Sequence, residues 1–385
     1  MVRSAWLRRA GPGIVALGAA GMLTSTTLGA RDRPWVPPDC AGDARAGGTS
    51  AQAARATSQG NVGDAPWFRL DPILDANGSL AGQRLVIGRV DGAGKRTMEL
   101  PSESFAAGPF GATVLVGTDD GARSRLFVLD VVAGCAAPID TSADVIRRAT
   151  ISPDGGSIVE SRVERESRAD QGIWRRRLDR DEPAEPLIPP IGADGRFGRT
   201  WSTEFLWTVD GRELAVQSCG ENACRTRVLE PTTGALHEVD EPDLGPAVGL
   251  ADGRLVSYLA CRGLPCPIVA IDLSTGVRRT LAPDAGPAVV IATDDGARLV
   301  HERVVGSRTS LFTVPLDGSE GRDLGAVPAG LSLHMDANRS ADGLDAAAGW
   351  VLLAPEGRMP IHGAVAPLLR HVPDGRTVAV DEVTR

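Results

Sequence analysis

From residue 80 onward the apolar residues fall into short runs separated by Gly, Asp, Thr and Pro. Leu206-Trp207-Thr208-Val209 is followed by Asp210-Gly211 and then by Leu214-Ala215-Val216. Ile268-Val269-Ala270-Ile271 is followed by Asp272-Leu273-Ser274-Thr275-Gly276. Such runs are strand signals with a mechanism, because Gly reaches positive φ and Asp bonds its own backbone at the turn. No uncharged stripe with helical spacing appears after residue 31, so the pattern predicts an all-β chain.

The runs repeat. Asp-Gly pairs follow apolar stretches at Asp154-Gly155, Asp210-Gly211, Asp252-Gly253, Asp295-Gly296 and Asp374-Gly375, with Gly111 as an equivalent. The offsets of Cys219, Cys224, Glu230 and Gly234 from Gly211 match those of Cys261, Cys266, Asp272 and Gly276 from Gly253, and Asp130 and Gly134 keep the last two offsets from Gly111. The period, roughly 40–45 residues for most units, is the length of one four-stranded propeller blade. Each unit then reads as four strands, a to d, with the Asp-Gly turn joining a to b. Markers at 111, 155, 211, 253, 296, 343 and 375 give about seven blades in a single β-propeller over residues 80–385; six or eight also fit the spacing.

The chain ends predict how the ring closes. Ala366–His371 and Arg376–Val383 read as strands a and b without c or d, whereas Arg84–Val90 and Arg96–Leu100 read as c and d without a or b. Pairing the N-terminal strands into the C-terminal blade would leave no open sheet edge.

Ile151-Ser152-Pro153-Asp154-Gly155 and Val372-Pro373-Asp374-Gly375 resemble the blade signature of the WD40-like (PD40, TolB-like) β-propeller family. The resemblance covers roughly residues 80–385, with Val209, Ala251 and Asp294 standing where the signature has proline. It implies a propeller fold in a cell-envelope setting.

Composition agrees with many tight turns: 46 Gly and 27 Pro are about a fifth of the chain. The net charge of −8 argues against nucleic acid as a partner. The N-terminus differs from the rest. Arg3, Arg8 and Arg9 precede an uncharged run from Ala10 to Ala30, which reads as a signal peptide or a signal anchor over residues 1–30. Residues 31–79 are rich in Ala, Gly, Pro, Ser and Thr and read as a flexible tether. The expectation is an exported, monomeric protein, periplasmic or extracellular, touching a membrane only through that N-terminal anchor.

Six cysteines in an exported chain suggest three disulfides. Cys219 with Cys224 and Cys261 with Cys266 sit at the tips of b–c hairpins, where facing residues come within bridging range. Cys40 and Cys135 remain, and a bridge between them would strap the tether to the ring. Two C-x4-C arms holding a metal are the rival reading, disfavoured by the spacer length.

Chemistry is sparse. The five histidines show no metal spacing, and no nucleophile elbow or phosphate loop occurs. Asp119-Asp120 and Asp294-Asp295 could ligate Ca²⁺, but each sits in a Thr-Asp-Asp-Gly-Ala-Arg turn that explains it. No catalytic residue, metal or cofactor is expected. Arg148, Glu204, Arg370 and His371 are the polar residues assigned to the channel wall, where a lactonase- or hydrolase-like enzyme would work. The main expectation is instead a binding or scaffold protein for a protein or glycan partner. Its face would be the b–c side of blades 3–5, centred on Glu160, Arg162, Glu164, Arg165, Glu166 and Arg168 in an enlarged loop, Glu160–Gly172, beside the Pro186–Arg199 stretch and two pinned hairpins.

Overall fold

The computed structural model describes residues 66–379 apart from 90–94, 111–112, 131–132, 179–181, 191–199, 209–210, 221–223, 240, 242, 261–262, 334–348 and 356–367. The signal segment and most of the tether lie outside the described residues. Every described element is a strand, and the strands form seven antiparallel sheets that follow one another along the chain. The first sheet holds β1 (Pro66–Leu74), β2 (Leu80–Arg89) and β3 (Arg96–Leu100). Blade 2 is β4–β7 (residues 104–142), blade 3 is β8–β11 (145–188), and blade 4 is β12–β15 (200–239). Blade 5 is β16–β19 (244–285), blade 6 is β20–β23 (288–326), and blade 7 is β24–β27 (331–379). The inner strands β4, β8, β12, β16 and β20 lie side by side in succession, as in a β-propeller.

The sheets hold together because both faces of each inner blade are apolar. Ile158 points toward blade 2 and its neighbour Val159 toward blade 4. Six clusters fill the six seams from blade 1–2 to blade 6–7. Continuous apolar strands, rather than alternating ones, are what a sheet covered on both sides requires.

The repeat ruler is visible in the turns. Gly134, Gly234 and Gly276 each donate to the carbonyl four residues back, from Asp130, Glu230 and Asp272, at 2.8 Å, closing the c–d turns. The a–b turns are one residue tighter: Gly155 donates to Ser152 at 2.7 Å and Gly211 to Thr208 at 2.8 Å. Asp252 (φ 52°) and Gly253 (φ 66°) form the two-residue turn of the blade 5 hairpin, with positive φ at both positions.

Three expectations need correction. Asp374-Gly375 joins β26 to β27, the third and fourth strands of their sheet, so it is a c–d turn rather than an a–b turn, closed by the Gly375 N–H on the His371 carbonyl. Leu368–His371 and Thr377–Ala379 are therefore strands c and d, and β24 and β25 precede them in the same sheet. The N-terminal strands do not complete this blade: β2 pairs with β1 on one side and with β3 on the other. Finally, β1 lies inside the stretch expected to be tether, so the described strands of the propeller reach back to residue 66, ahead of the expected start at 80.

The step from β3 into β4 is within one residue of the d-to-a steps from β7 to β8 and from β19 to β20. Leu100 of β3 packs in the first seam as Ile188 of the outer strand β11 does in the third. Strands β1–β3 thus hold the b, c and d places, and no described residue fills the a place of blade 1.

Phe205 is fully buried in the blade 3–4 seam, whereas Val277 is 62% exposed. Phe205→Ala should cost about 3–5 kcal/mol and Val277→Ala within about 0.5 kcal/mol, measured by urea denaturation.

Candidate functional site

In a blade whose strands alternate in direction, b–c hairpins and d–a connections emerge on the same face. The charged run of blade 3 rises toward that face on β9 (Ser157–Val163), turns at residues 164–169 and returns on β10 (Asp170–Arg177). The loop is shorter than the sequence suggested, because Glu160, Arg162 and Gly172 belong to strands.

Strand alternation divides the six candidate residues. Glu160 and Arg162 face blade 2, and Glu160 is fully buried. Arg162 donates its Nε to Glu160 at 2.6 Å and its Nη2 to Asp140 of β7 at 2.9 Å. Arg176 of β10 donates to the other Asp140 oxygen at 2.7 Å, and the Arg162 guanidinium lies 4.5 Å above the Trp174 ring. Asp140 is thus gripped by two arginines of the next blade. Arg165 reaches back to blade 2 as well, placing a two-pronged bond on Asp119 at 2.8 and 2.9 Å and bonding the Ala143 carbonyl at 3.1 Å. Such bidentate, partly buried pairs fix geometry better than exposed single contacts do. Glu160, Arg162 and Arg165 therefore brace the blade 2–3 seam, while Glu164, Glu166 and Arg168 are exposed at the hairpin tip.

Glu160 bears the cost of this arrangement. Burial pushes its carboxyl up to about 7, with Asp140 adding to the rise and Arg162 and Arg176 opposing it, and Oε2 has no hydrogen-bond partner. For Asp119 burial acts in the same upward direction, but the bonds from Arg165, Ser124 and the Gly121 N–H outweigh it and hold the carboxyl below its usual value. Asp119 and Asp120 both accept bonds within their turn, Asp120 from the Ala122 and Arg123 N–H groups. Among the described residues no group of three or more acidic, His or Cys side chains is placed to hold a metal ion.

The channel candidates separate in the same way. Arg148 and Glu204 lie on the inner strands β8 (Val145–Ile151) and β12 (Thr200–Trp207). Arg370 and His371 do not line the channel, since their strand β26 is third from the centre. Arg370 clamps the end of blade 6 through the Leu324, Gly325 and Ala326 carbonyls at 3.0–3.3 Å, and His371 pairs with Asp374 at 2.7 Å beside the Trp350 ring.

One feature of this face has no sequence signature. The inner strand carries a bulge near its leading end in blade 3 (between Ile146 and Arg148), blade 4 (Thr200 and Ser202) and blade 5 (Leu244 and Ala247). Blade 2 has its irregularity at the opposite end, between Ala107 and Phe110, and the inner pair of blade 6 is regular. In blade 3 the extra residue is Arg147. Burial and the nearby Arg168 and Arg148 disfavour its charge, with Glu103 opposing them.

Of the cysteines, Cys219 and Cys224 occupy directly opposed positions at the last rung of the β13–β14 ladder. Cys135 follows the c–d turn of blade 2 and Cys266 opens β18, both engaged, and no described cysteine is free. Cys40 and Cys261, the partners expected for them, lie outside the described residues.

No protein-family model and no curated protein matches the chain. Solved propellers do. TolB from Acinetobacter baumannii is 14% identical, with 69% of this chain and 65% of that one covered and a TM-score of 0.44; the chain therefore spans less than two thirds of that protein. The β-propeller domain of the Trilobed protease from Pyrococcus furiosus, which has an open velcro topology, is 10% identical, with coverage of 84% and 98% and a TM-score of 0.51. An oligogalacturonate lyase in complex with manganese is 14% identical, with coverage of 83% and 87% and a TM-score of 0.52. At such identities the likeness establishes the fold: this chain is a seven-bladed β-propeller.

The raised carboxyl of Glu160 has a defined consequence for stability. Between the ordinary Glu value of about 4.5 and the folded value of about 7, the folded state holds a proton that the unfolded state releases. Its contribution therefore falls as pH rises through that window. Buried His301, whose pKa is held down by burial, acts in the opposite sense below its ordinary 6.5, so the informative quantity is a difference. The stability of the wild type minus that of Glu160→Gln should decline from pH 4.5 to 7 in thermal melts. A flat difference would contradict the burial argument.

Proposed function

We propose that this chain is an exported, non-catalytic propeller that binds a protein partner on the b–c face of blades 3–5. The observation that carries the reading is the clustering of leading-end bulges in those three consecutive blades. Bulges re-aim side chains and interrupt pairing, and they concentrate beside functional sites. The exposed tip of the blade 3 hairpin stands at the same face, held by the Arg165–Asp119 fork and by the bond from Arg168 N–H to the Glu164 carbonyl at 2.9 Å. A braced tip presents Glu166 and Arg168 with little entropy left to lose on binding.

Export is supported by the basic, apolar, small-residue order of residues 1–30 and by six cysteines in a chain with no free one among the described residues. In that setting the pairs are Cys219–Cys224, Cys261–Cys266 and Cys40–Cys135. Peptide mass mapping without reduction should recover these three cross-links, and a free thiol at any of the six would remove its pair.

The competing reading is a channel-centred enzyme or a glycan-binding protein, resting on Arg148 and Glu204 of the inner strands. Double charge reversal at Glu166 and Arg168 (Glu166→Lys, Arg168→Glu) should reduce capture of the partner from envelope extract at least tenfold, while Glu204→Gln should leave it intact. The enzyme reading expects the reverse pattern. Recovery of a polysaccharide in place of a protein would select the glycan reading.

A further inference from the structure

The seam between blades 3 and 4 changes character one pleat above its apolar layer. Val159 of β9, Phe205 of β12, Val216 of β13 and Leu229 of β14 pack together there with Ile173 of β10. Side chains alternate along a strand, so the next residue on the same face lies two positions away. Toward the b–c face these are Ser161, Thr203, Ser218 and Arg227. The ladders place them on neighbouring rungs: Thr203 stands opposite Ser218, while Arg227 stands opposite Val216 and Ser161 opposite Ile173, at the edge of the apolar layer. Arg148 stands opposite Ser161 on the inner strand and adds a second positive charge to the layer.

This layer is buried and largely unanswered. Ser161, Thr203 and Ser218 are 1% exposed and Arg227 is 5% exposed. Among the described residues none of the three hydroxyls has a hydrogen-bond partner, and neither Nε nor Nη2 of Arg227 has one. Native proteins keep few such groups, and each needs an explanation. These four residues face one seam on neighbouring rungs, three from strands of blade 4 and one from blade 3, so the unanswered groups are gathered rather than scattered.

The geometry at Arg227 selects the ligand. Its Nη1 donates to the Pro189 carbonyl at 2.7 Å. That carbonyl is fixed because β10 presses on it: a Cβ on Gly172 would lie 2.4 Å from the Ile188 oxygen and 3.0 Å from the Pro189 carbonyl carbon. The unanswered Nε–H and Nη2–H are the two parallel donors along the other edge of the guanidinium, the fork that matches a carboxylate. Burial pushes the Arg227 guanidinium below its usual value, and Asp170 and Glu238 favour the cation while Arg225 opposes it. Glu238 is 55% exposed at the rim, where it lies 3.7 Å from Arg225.

We propose that the blade 3–4 seam is a binding site for a carboxylate group. Two oxygens sit on the Nε–H and Nη2–H of Arg227, and the hydroxyls of Ser161, Thr203 and Ser218 donate to the remaining lone pairs. The group enters from the b–c face past Arg225. This site stands whether or not the hairpin tip of blade 3 holds a partner.

The test uses the full chain and acetate as the probe. In thermal melts, sodium acetate should raise Tm saturably above sodium chloride of equal ionic strength. Arg227→Met should abolish the difference, and Thr203→Val with Ser218→Ala, which keeps the guanidinium, should raise the apparent Kd at least fivefold. Equal responses to acetate and chloride in the wild type would overturn the proposal, as would an Arg227→Met protein that responds like the wild type. If Arg227→Met does not fold, the hydroxyl variant decides, since an unchanged acetate response there would also overturn it.

Discussion

Each blade of this propeller has two faces to hide, and no helix among the described residues covers them. The only cover is the next blade. Side chains on both faces of a strand must therefore be compatible with burial, and any polar group placed there must find its partner across a seam or have none. Burying an unpartnered polar atom costs about 1–3 kcal/mol, so the seams are where sequence choices are most consequential. Most positions obey with Val, Leu, Ile, Ala or Phe. The exceptions on the two faces of blade 3 are what give the molecule its individuality.

Those two exceptions differ in kind. Toward blade 2 each charge of the polar layer has an opposite charge bonded to it: Asp140 accepts from Arg162 and Arg176, Arg162 also holds Glu160, and Arg165 forks onto Asp119. Glu160 Oε2 and Arg176 Nε are the atoms of this network left without a partner among the described residues. Charges and donors nearly balance, with the strain concentrated in one raised carboxyl. Such a network orients two blades without adding much stability, because desolvation offsets the attraction. Toward blade 4 the layer does not close. Three hydroxyls have no partner among the described residues, and the guanidinium edge best suited to a carboxylate is the one left open. A closed network reads as architecture and an open one as a site.

Much of the architecture was legible. The offsets shared by Asp130–Gly134, Glu230–Gly234 and Asp272–Gly276 correspond to real c–d turns, each closed by the glycine N–H. The Asp374-Gly375 pair misled because a–b and c–d turns use the same residues, and the c–d turn at Gly318 even has the span of the a–b turns at Gly155 and Gly211. Strand β1 was missed because Pro66 and Pro72 argue against a strand; as the first of its sheet, with its other edge unpaired by any described strand, it tolerates them. The site was less legible than the fold. The alternation of Glu160, Arg162 and Glu164 looked like one solvated face, yet its lower part meets Asp140 of another blade. Ser161, Thr203, Ser218 and Arg227 look ordinary because their meaning lies in a seam between strands far apart in the chain. Bulges leave no residue signature at all.

The account stands on the claim that mutual covering of consecutive sheets, including the first, makes the described strands from residue 66 onward a single propeller. Amide hydrogen exchange across the whole chain tests it most directly. Central-strand amides of every sheet should exchange slowly, with Leu85, Val86 and Ile87 of blade 1 protected like Ala215 and Val216 of blade 4. Exchange of residues 85–87 at the rate of an open chain, while blade 4 stays protected, would contradict the claim.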